Sequence, residues 1–352
     1  MHVGIIGGGW IVQKAYLPVL LRKFKPMEIH LFDSDKECRY LLEKKFSIYT
    51  YGNLSDFLEA SFSVAIVATP NNTHFFYSKL LMETGRNVLC EKPITLNIDE
   101  YNTLLDIESK KKVRFMPAYV NRYRPEIIFL INYIKKGNIG NVTSIYGKWI
   151  RGKGIPLSRK WLTNREISGG GVLIDLGPHV LDICLGIMPL EEFEISQVHF
   201  DYCNKPSEYA ATWVEKKPSH ELICNMEVET YAKLKAISNG KRILNIEVSW
   251  VSESKYDITN FKIIGEKKSI ELCTLFGFSN NTKYKKIVLS EISGPELMSW
   301  KFNYELPYNA FADLVNSFFL NLQMKENIVN SNLHEIQNIK LIEDAYIKEG
   351  LN

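Results

Sequence analysis

None of the six cysteines (Cys38, Cys90, Cys184, Cys203, Cys224, Cys273) stands in a CxxC pair or beside histidines at zinc-ligand spacing. That excludes a zinc finger and a small disulfide scaffold, and it leaves free thiols with no metal centre expected. No run of about 18 apolar residues is free of charge, so no membrane-spanning helix is expected. Charge of one sign is not in surplus either: 43 basic residues face 40 acidic ones, a net +3 that offers nucleic acid no basic surface. The N-terminus lacks a basic region, an apolar stretch and a small-residue cleavage site; Met1 and His2 lead straight into a strand-like run. A cytoplasmic protein without a membrane partner is therefore expected. Repeats and low-complexity linkers are absent as well. What is present, 352 residues that are 45% apolar and 24% charged, is globular in balance and long enough for two domains.

From His2 to about Tyr119, short apolar runs alternate with stretches of helical period, as in βαβ units of a parallel sheet. Strands are expected at His2 to Ile6, Glu28 to Phe32, Ser47 to Tyr51, Val64 to Ala68, Asn87 to Cys90 and Val113 to Ala118. Helices are expected at Thr73 to Thr84, closed by Gly85, and at Ile98 to Lys112, whose terminal lysines suit a helix C-terminus. Pro18 falls inside the first helical stretch, where it predicts a kink. After Pro125 the alternation stops. A helix (Glu126 to Lys136, closed by Gly137) and a strand (Val142 to Trp149) precede a glycine-rich turn into another helix. Strand patterns then dominate from about Val198 to Cys273, including Glu227 to Ser238, Arg242 to Ser252 and Asn260 to Ile264, with turns such as Asn239-Gly240. A last helix is expected over Leu333 to Lys348. The fold class is α/β: an N-terminal Rossmann-type parallel sheet (1–121), then an α+β domain with an open, mainly antiparallel sheet (122–352).

Directly after the first strand comes Gly7-Gly8-Gly9-Trp10-Ile11-Val12, two glycines of a G-x-G-x-x-G fingerprint with Val12 in place of the third. Gly7 permits the tight turn and Gly9 lets backbone approach a pyrophosphate at a helix N-terminus, where N–H groups and the dipole favour an anion. The second strand ends in Phe32-Asp33, a carboxylate placed for the hydroxyls of an NAD ribose, with a helix-capping role as the lesser alternative. Asp33 is followed by Ser34 and Asp35 and not by an arginine, which favours NAD over NADP.

The fifth strand leads into Glu91-Lys92-Pro93, at the carboxyl end where open α/β sheets place ligands. Farther on, in Ser168-Gly169-Gly170-Gly171-Val172-Leu173-Ile174-Asp175-Leu176-Gly177-Pro178-His179, Asp175 and His179 stand four apart, on one face if the segment is helical. Gly177-Pro178 predicts some disturbance of that helix. A histidine titrates nearest neutrality and can take a proton from an alcohol as hydride leaves carbon.

With these elements the chain resembles the glucose-fructose oxidoreductase/inositol dehydrogenase family, Gfo/Idh/MocA, along essentially its whole length. The resemblance rests on the glycine turn, Ala68-Thr69-Pro70-Asn71 with His74, Glu91-Lys92-Pro93, Asn121-Arg122-Tyr123-Arg124-Pro125, the glycine block leading to Asp175 and His179, Val228-Glu229-Thr230-Tyr231-Ala232, and Ile264-Gly265. It implies an NAD(P)-dependent dehydrogenase or reductase acting at a ring hydroxyl or ketone of a sugar or cyclitol, often as a homodimer or homotetramer. It implies that Lys92 holds the reacting hydroxyl, that His179 is general base, that Asp175 orients substrate or histidine, and that Pro70 lies near the nicotinamide. Cofactor contacts would come from Gly7, Gly9, Trp10, Ile11, Asp33, Thr69, Pro70, Asn71, His74, Glu91 and Lys92. Substrate contacts would come from Lys92, Tyr119, Asn121, Arg122, Arg151, Trp161, Asp175 and His179. Val12 at the third glycine, and Thr230 where many relatives carry aspartate, depart from the pattern.

Between Lys148 and Glu166 six basic residues (Lys148, Arg151, Lys153, Arg159, Lys160, Arg165) face one acid. Arginine forks suit phosphates and carboxylates, so a phosphosugar, sugar acid or nucleotide-linked sugar is one expectation, and a solvated basic loop the other. Two further readings use the same residues differently: an NAD-dependent glycosidase that oxidises its substrate transiently, and a non-catalytic dinucleotide or sugar sensor.

Overall fold

The structure, a computed structural model, describes residues 2–24, 27–152, 160–202, 227–252, 254–293, 296–323 and 332–351. The chain forms two compact units, and they do not divide at a single cut. One comprises Met1–Val120 with Tyr308–Asn327, the other Asn121–Pro307 with Ile328–Asn352.

In the first unit, strands β1 (His2–Ile6), β2 (Glu28–Phe32), β3 (Tyr49–Tyr51), β4 (Val64–Val67), β5 (Asn87–Cys90) and β6 (Phe115–Pro117) form a sheet in the order β3-β2-β1-β4-β5-β6. Every pairing is parallel. Central strands read as unbroken apolar runs because both faces are covered, and all four residues of β4 are buried. Between the strands lie α1 (Leu17–Lys23), α2 (Lys36–Phe46), α3 (Leu54–Glu59), α4 (His74–Glu83) and α5 (Ile98–Lys111). The strand expected from Ser47 begins at Tyr49, because Ser47 adopts a left-handed conformation (φ 53°) that closes α2. Pro18 produces a change of helix type. A π-helical turn, Val12–Tyr16, hands over to α1, with the Leu17 N–H bonded to the Val12 carbonyl and Pro18 in the first turn, where no donor is required.

The second unit contains α6 (Pro125–Lys135), β7 (Val142–Ile150), α7 (Arg165–Ser168) and α8 (Val172–Ile187). They are followed by β8 (Phe193–Asp201), β9 (Tyr231–Ser238), β10 (Ile243–Ser249), β11 (Ile258–Gly265), β12 (Ser269–Thr274), β13 (Ile287–Ser293) and β14 (Glu296–Phe302). The eight strands run in the order β14-β13-β12-β11-β7-β10-β9-β8, antiparallel except for the parallel β7/β10 pair. Two helices end the chain. α9 (Tyr308–Gln323) returns to the first unit, where Phe311 packs edge-on against Tyr16 and Phe319 against Phe24. α10 (Asn332–Lys348) lies in the second. Strands β13 and β14 and helix α9 have no counterpart in the sequence expectations.

The core of the second unit is α8, in which every residue but Gly186 is buried. It lies so close to β7 that a Cβ at Gly147 would come within 2.5 Å of Val180 and 2.9 Å of Cys184. The disturbance expected at Gly177-Pro178 does not interrupt the helix. Pro178 sits inside a continuous helix, and the Asn338 side-chain amide of α10 donates to its carbonyl at 2.9 Å. Packing on all sides outweighs the roughly 3 kcal/mol that an interior proline costs an isolated helix. Arg165–Ile187 is also long and apolar enough to cross a membrane, yet 94% of its apolar window is buried within the protein, as in a core helix.

The glycines before α8 serve this packing. A Cβ at Gly171 would lie 2.1 Å from the Glu229 carbonyl oxygen, whereas one at Gly186 meets nothing within 4 Å. Gly171→Ala is expected to lower unfolding free energy by about 1–3 kcal/mol, and Gly186→Ala to raise it by about 0.5–1 kcal/mol; urea denaturation of the two variants checks both signs.

Candidate active site

In the first unit, chemistry-bearing groups gather where β1, β2, β4 and β5 end. Gly7, immediately after β1, has φ 94°, and a Cβ there would come within 2.5 Å of the Ala68 carbonyl oxygen, so only glycine fits this crossing between strand ends. Its N–H donates to the Phe32 carbonyl at 2.9 Å. The Gly8 N–H donates to Asp33 Oδ2 at 2.6 Å, and its carbonyl accepts from the Gln13 side chain at 2.8 Å and the Cys38 thiol at 3.4 Å. Burial, then the nearby Asp33 and Asp35 carboxylates, push that thiol up to about 11, so Cys38 serves as a neutral donor. Gly9 is different: it is exposed, and a Cβ there would meet nothing within 4 Å. The helix begins at Trp10. An open glycine before a helix N-terminus, beside a carboxylate after the second strand, fits a dinucleotide whose pyrophosphate lies on the turn and whose ribose meets Asp33. Asp33 does not cap the next helix; Asp35 does, accepting from the N–H groups of Glu37 and Cys38. The Arg39 guanidinium donates to the carbonyls of Asp33 and Ser34.

The turn after β4 is held from below. Thr73 Oγ1 donates to Thr69 Oγ1 (2.8 Å) and to the Pro70 carbonyl (2.7 Å). His74 is fully buried, its Nε2 2.8 Å from the Thr69 carbonyl and its Nδ1 2.7 Å from the Pro93 carbonyl. With both ring nitrogens on backbone, His74 joins the turn after β4 to the one after β5. Burial and then the Lys92 charge lower its pKa, against the pull of the two carbonyls. Asn71 is also buried. Glu91 accepts from the Tyr16 hydroxyl at 2.8 Å on one oxygen and from the Lys92 N–H at 3.2 Å on the other. Lys92 is half-buried, and its bond to Pro93 is cis. Tyr119, in the same unit, is buried.

In the second unit, α8 carries Asp175, His179 and Asp182 at intervals of four and three, so all three share one face. Asp175 Oδ2 accepts from Trp250 Nε1 at 2.9 Å and from Arg151 Nη1 at 3.3 Å. Arg151 is buried and stacks over Trp149 at 5.3 Å, and the His179 ring lies 5.6 Å from the same indole. Desolvation lowers the Arg151 pKa, with Asp175 and then Asp257 opposing it. Arg122 turns to Asp182 and to Glu335, at 3.2 and 3.3 Å, an ion triad bracing α8 against α10. Asn121 is buried and Trp161 half-buried. Of the basic run, Lys148 pairs across strands with Glu247 (2.8 Å), Arg151 with Asp175, and Arg165 with the Leu351 carbonyl (3.2 Å). Lys153, Arg159 and the Lys160 side chain lie outside the described residues, as do Cys203 and Cys224; Cys38, Cys90, Cys184 and Cys273 are free thiols.

Two residues to which sequence reasoning assigned no role organise this face. Trp250, wholly buried one position beyond β10, supplies the indole donor to Asp175. Glu229, 1% exposed, accepts from the backbone N–H groups of Gly171 and Leu173 (3.0 Å each) and from the Tyr346 hydroxyl (2.8 Å). It thus fills the N-terminus of α8, whose own N-cap glycine has no side chain to do so. A Glu in a strand-like sequence gives no hint of capping a helix more than fifty positions earlier.

The chain matches two family models: "Oxidoreductase family, NAD-binding Rossmann fold" over residues 1–119 and "GFO/IDH/MocA C-terminal domain" over residues 130–271. The chain belongs to this family. It is accordingly an NAD(P)-binding oxidoreductase. Among curated proteins it is 27% identical over 290 residues to the putative UDP-kanosamine synthase oxidoreductase subunit of Amycolatopsis mediterranei, covering 82% of this chain and 79% of that one. It is 26% identical over 276 residues to glucose-6-phosphate 3-dehydrogenase of Bacillus subtilis, covering 77% and 74%. Among solved structures, KijD10, a 3-ketoreductase from Actinomadura kijaniata seen with NADP and TDP-benzene, superposes with a TM-score of 0.78 over 99% of this chain and 97% of that one, at 14% identity. This last likeness is one of fold.

Two glycines of one turn should therefore behave differently. Gly9→Ala is expected to keep the wild-type melting temperature and to weaken dinucleotide binding about tenfold or more, while Gly7→Ala costs about 2 kcal/mol or more of stability before any ligand is added; thermal melts with and without dinucleotide separate the two. Glu229→Ala, which strips three buried donors of their acceptor, is expected to cost about 3 kcal/mol or more, and Tyr346→Phe about 1 kcal/mol, by denaturant unfolding.

Proposed function

We propose that the chain uses NAD to oxidise a ring hydroxyl of a sugar, at carbon 3 of a hexose unit, or reduces the corresponding ketone. The observation that carries the reading is the face of α8, where His179 lies one turn from a carboxylate fixed by two buried donors, Trp250 Nε1 and Arg151 Nη1. The position on the sugar is supported by the relationship to glucose-6-phosphate 3-dehydrogenase, whose name gives a reaction at carbon 3.

In this reading Gly7, Gly9, Trp10, Ile11 and the Thr69–Asn71 turn hold the dinucleotide, and Asp33 takes its ribose hydroxyls. A bound nicotinamide supplies the hydride acceptor. The preference for NAD is supported by the Asp33 carboxylate, which would repel a 2′-phosphate, and by Arg39, whose guanidinium is committed to the carbonyls of Asp33 and Ser34. Lys92, whose backbone is steadied by Glu91, holds the hydroxyl oxygen and offsets the negative charge that grows on it. His179 accepts the hydroxyl proton. Asp175 presents an acceptor of fixed direction to the sugar. Arg151 orients Asp175, and no anionic substrate group is required to neutralise it. Self-association is part of the proposal: apolar Tyr146, Ile258, Leu297 and Met298 are exposed on strands of the second sheet.

A panel of free glucose, glucose 6-phosphate, glucosides, nucleotide-linked glucose and inositols, assayed with each dinucleotide by the absorbance of reduced nicotinamide, tests the activity. NMR of the product locates the ketone. Lys92→Ala and His179→Ala are each expected to lower kcat about a hundredfold or more, and the double variant to fall by far less than the product of the two. Turnover within a few fold of wild type in either single variant would remove that residue from the chemistry, and a product oxidised elsewhere on the ring would overturn the carbon assignment.

A further inference from the structure

At the amino-terminal ends of β1 and β2, remote along the strand from the glycine turn that follows β1, three metal-ligating side chains meet. His2 lies opposite Glu28 in the parallel register, and His30, two residues along β2, projects to the same face as Glu28. His2 Nδ1 is 3.4 Å from Glu28 Oε1, His30 Nε2 is 3.2 Å from the same oxygen, and the three ligand atoms all lie within 4.8 Å of one another. Two donors each ~2.1 Å from a tetrahedral ion stand about 3.4 Å apart, so two of the three edges already have coordination length.

His30 adds an independent observation. Its side chain is 8% exposed and its Nδ1 is 2.8 Å from the Tyr51 hydroxyl, yet its Nε2 is buried and makes no hydrogen bond despite the nearby carboxylate. An N–H on that nitrogen would point past the oxygen. In a metal site a ring nitrogen aims at the ion and not at the neighbouring ligand. Tyr51 would settle the tautomer: Nδ1–H donates to the phenol oxygen and the Nε2 lone pair is left for the ion, as a hydrogen-bond partner of a ligating histidine does. The remaining adjustment falls on His2, whose side chain is 47% exposed and able to turn. The His2 and His30 rings are already nearly parallel, with centroids 5.8 Å apart.

We propose that His2, Glu28 and His30 bind a divalent cation of the zinc class, with water completing the shell, and so tie β1 to β2 at their amino-terminal ends. Two imidazoles and one carboxylate suit a borderline ion better than magnesium or calcium. The sequence conceals the site because its ligands come from two strands that become neighbours only on folding.

Titration of the full chain with Zn2+ against a chromophoric chelator, and with Co2+ followed by visible absorption, tests this. One ion per chain is expected, with cobalt bands of a four-coordinate nitrogen and oxygen shell. His2→Gln and Glu28→Gln change half-exposed side chains and leave the core intact, and each should weaken Zn2+ binding about tenfold or more, as should Tyr51→Phe. Stoichiometry and affinity unchanged in a His2→Gln/Glu28→Gln double variant would overturn the proposal, as would a wild-type chain that takes up no ion.

Discussion

The second unit is organised by one buried carboxylate. Glu229 lies where α8 begins, and it can only do so because Gly170 and Gly171 have no side chains: a Cβ at Gly170 would fall 2.0 Å from the Tyr346 hydroxyl, and one at Gly171 would fall 2.1 Å from Glu229 itself. The helix it caps holds Asp175, His179 and Asp182, so the direction of each is fixed by how that first turn is anchored. A carboxylate at a helix N-terminus gains from both the unpaired N–H groups and the dipole. Burial pushes the Glu229 carboxyl up, while the bonds from Leu173, Tyr346 and Gly171 pull it back.

The first unit repeats the device. Glu91 precedes Lys92 as Glu229 precedes the strand beneath α8, and each accepts from a wholly buried tyrosine, Tyr16 or Tyr346, at 2.8 Å. In both tyrosines burial comes first and the glutamate charge second in driving the phenol well above its usual range. Neither hydroxyl can ionise near neutral pH, so each remains a fixed donor. His74 completes the scheme by lying between two strand-end turns, one ring nitrogen near a carbonyl of each. Residues read from sequence as cofactor ligands thus divide into two kinds. Gly9 is open, whereas His74 and Glu91 place polar atoms on the backbone and side chains of the strand-end turns.

Much of this was legible in the residues. The alternation of short apolar runs with helical stretches marks the parallel sheet because period and turn chemistry are local properties. Lys92, Asp175 and His179 stand out because the glycines and prolines around them are chemically unusual. The roles of Trp250 and Glu229 were not legible: each acts on a segment more than fifty positions away, and a tryptophan or glutamate in a strand-like stretch carries no sign of its partner. Helix α9 escaped for a related reason. Its apolar face is matched to Tyr16 and Phe24, some three hundred positions earlier in the chain, and only the folded unit makes that pairing visible.

The basic run before α8 shows what a charge count leaves out. Read as a row of cations, Lys148, Arg151 and Arg165 suggest an anionic substrate. In the fold, Lys148 belongs to a half-exposed cross-strand pair, worth little in water, and Arg165 is held at the C-terminal end of the chain. Of these three, Arg151 alone is buried. A buried guanidinium needs a compensating charge, and Asp175 provides it, with the Trp149 face as a second partner. The same pairing keeps the Asp175 carboxylate in one orientation, with Trp250 Nε1 also bonded to its Oδ2. Arg151 is therefore also the counter-charge that allows the Asp175 carboxylate to remain in the interior beside His179.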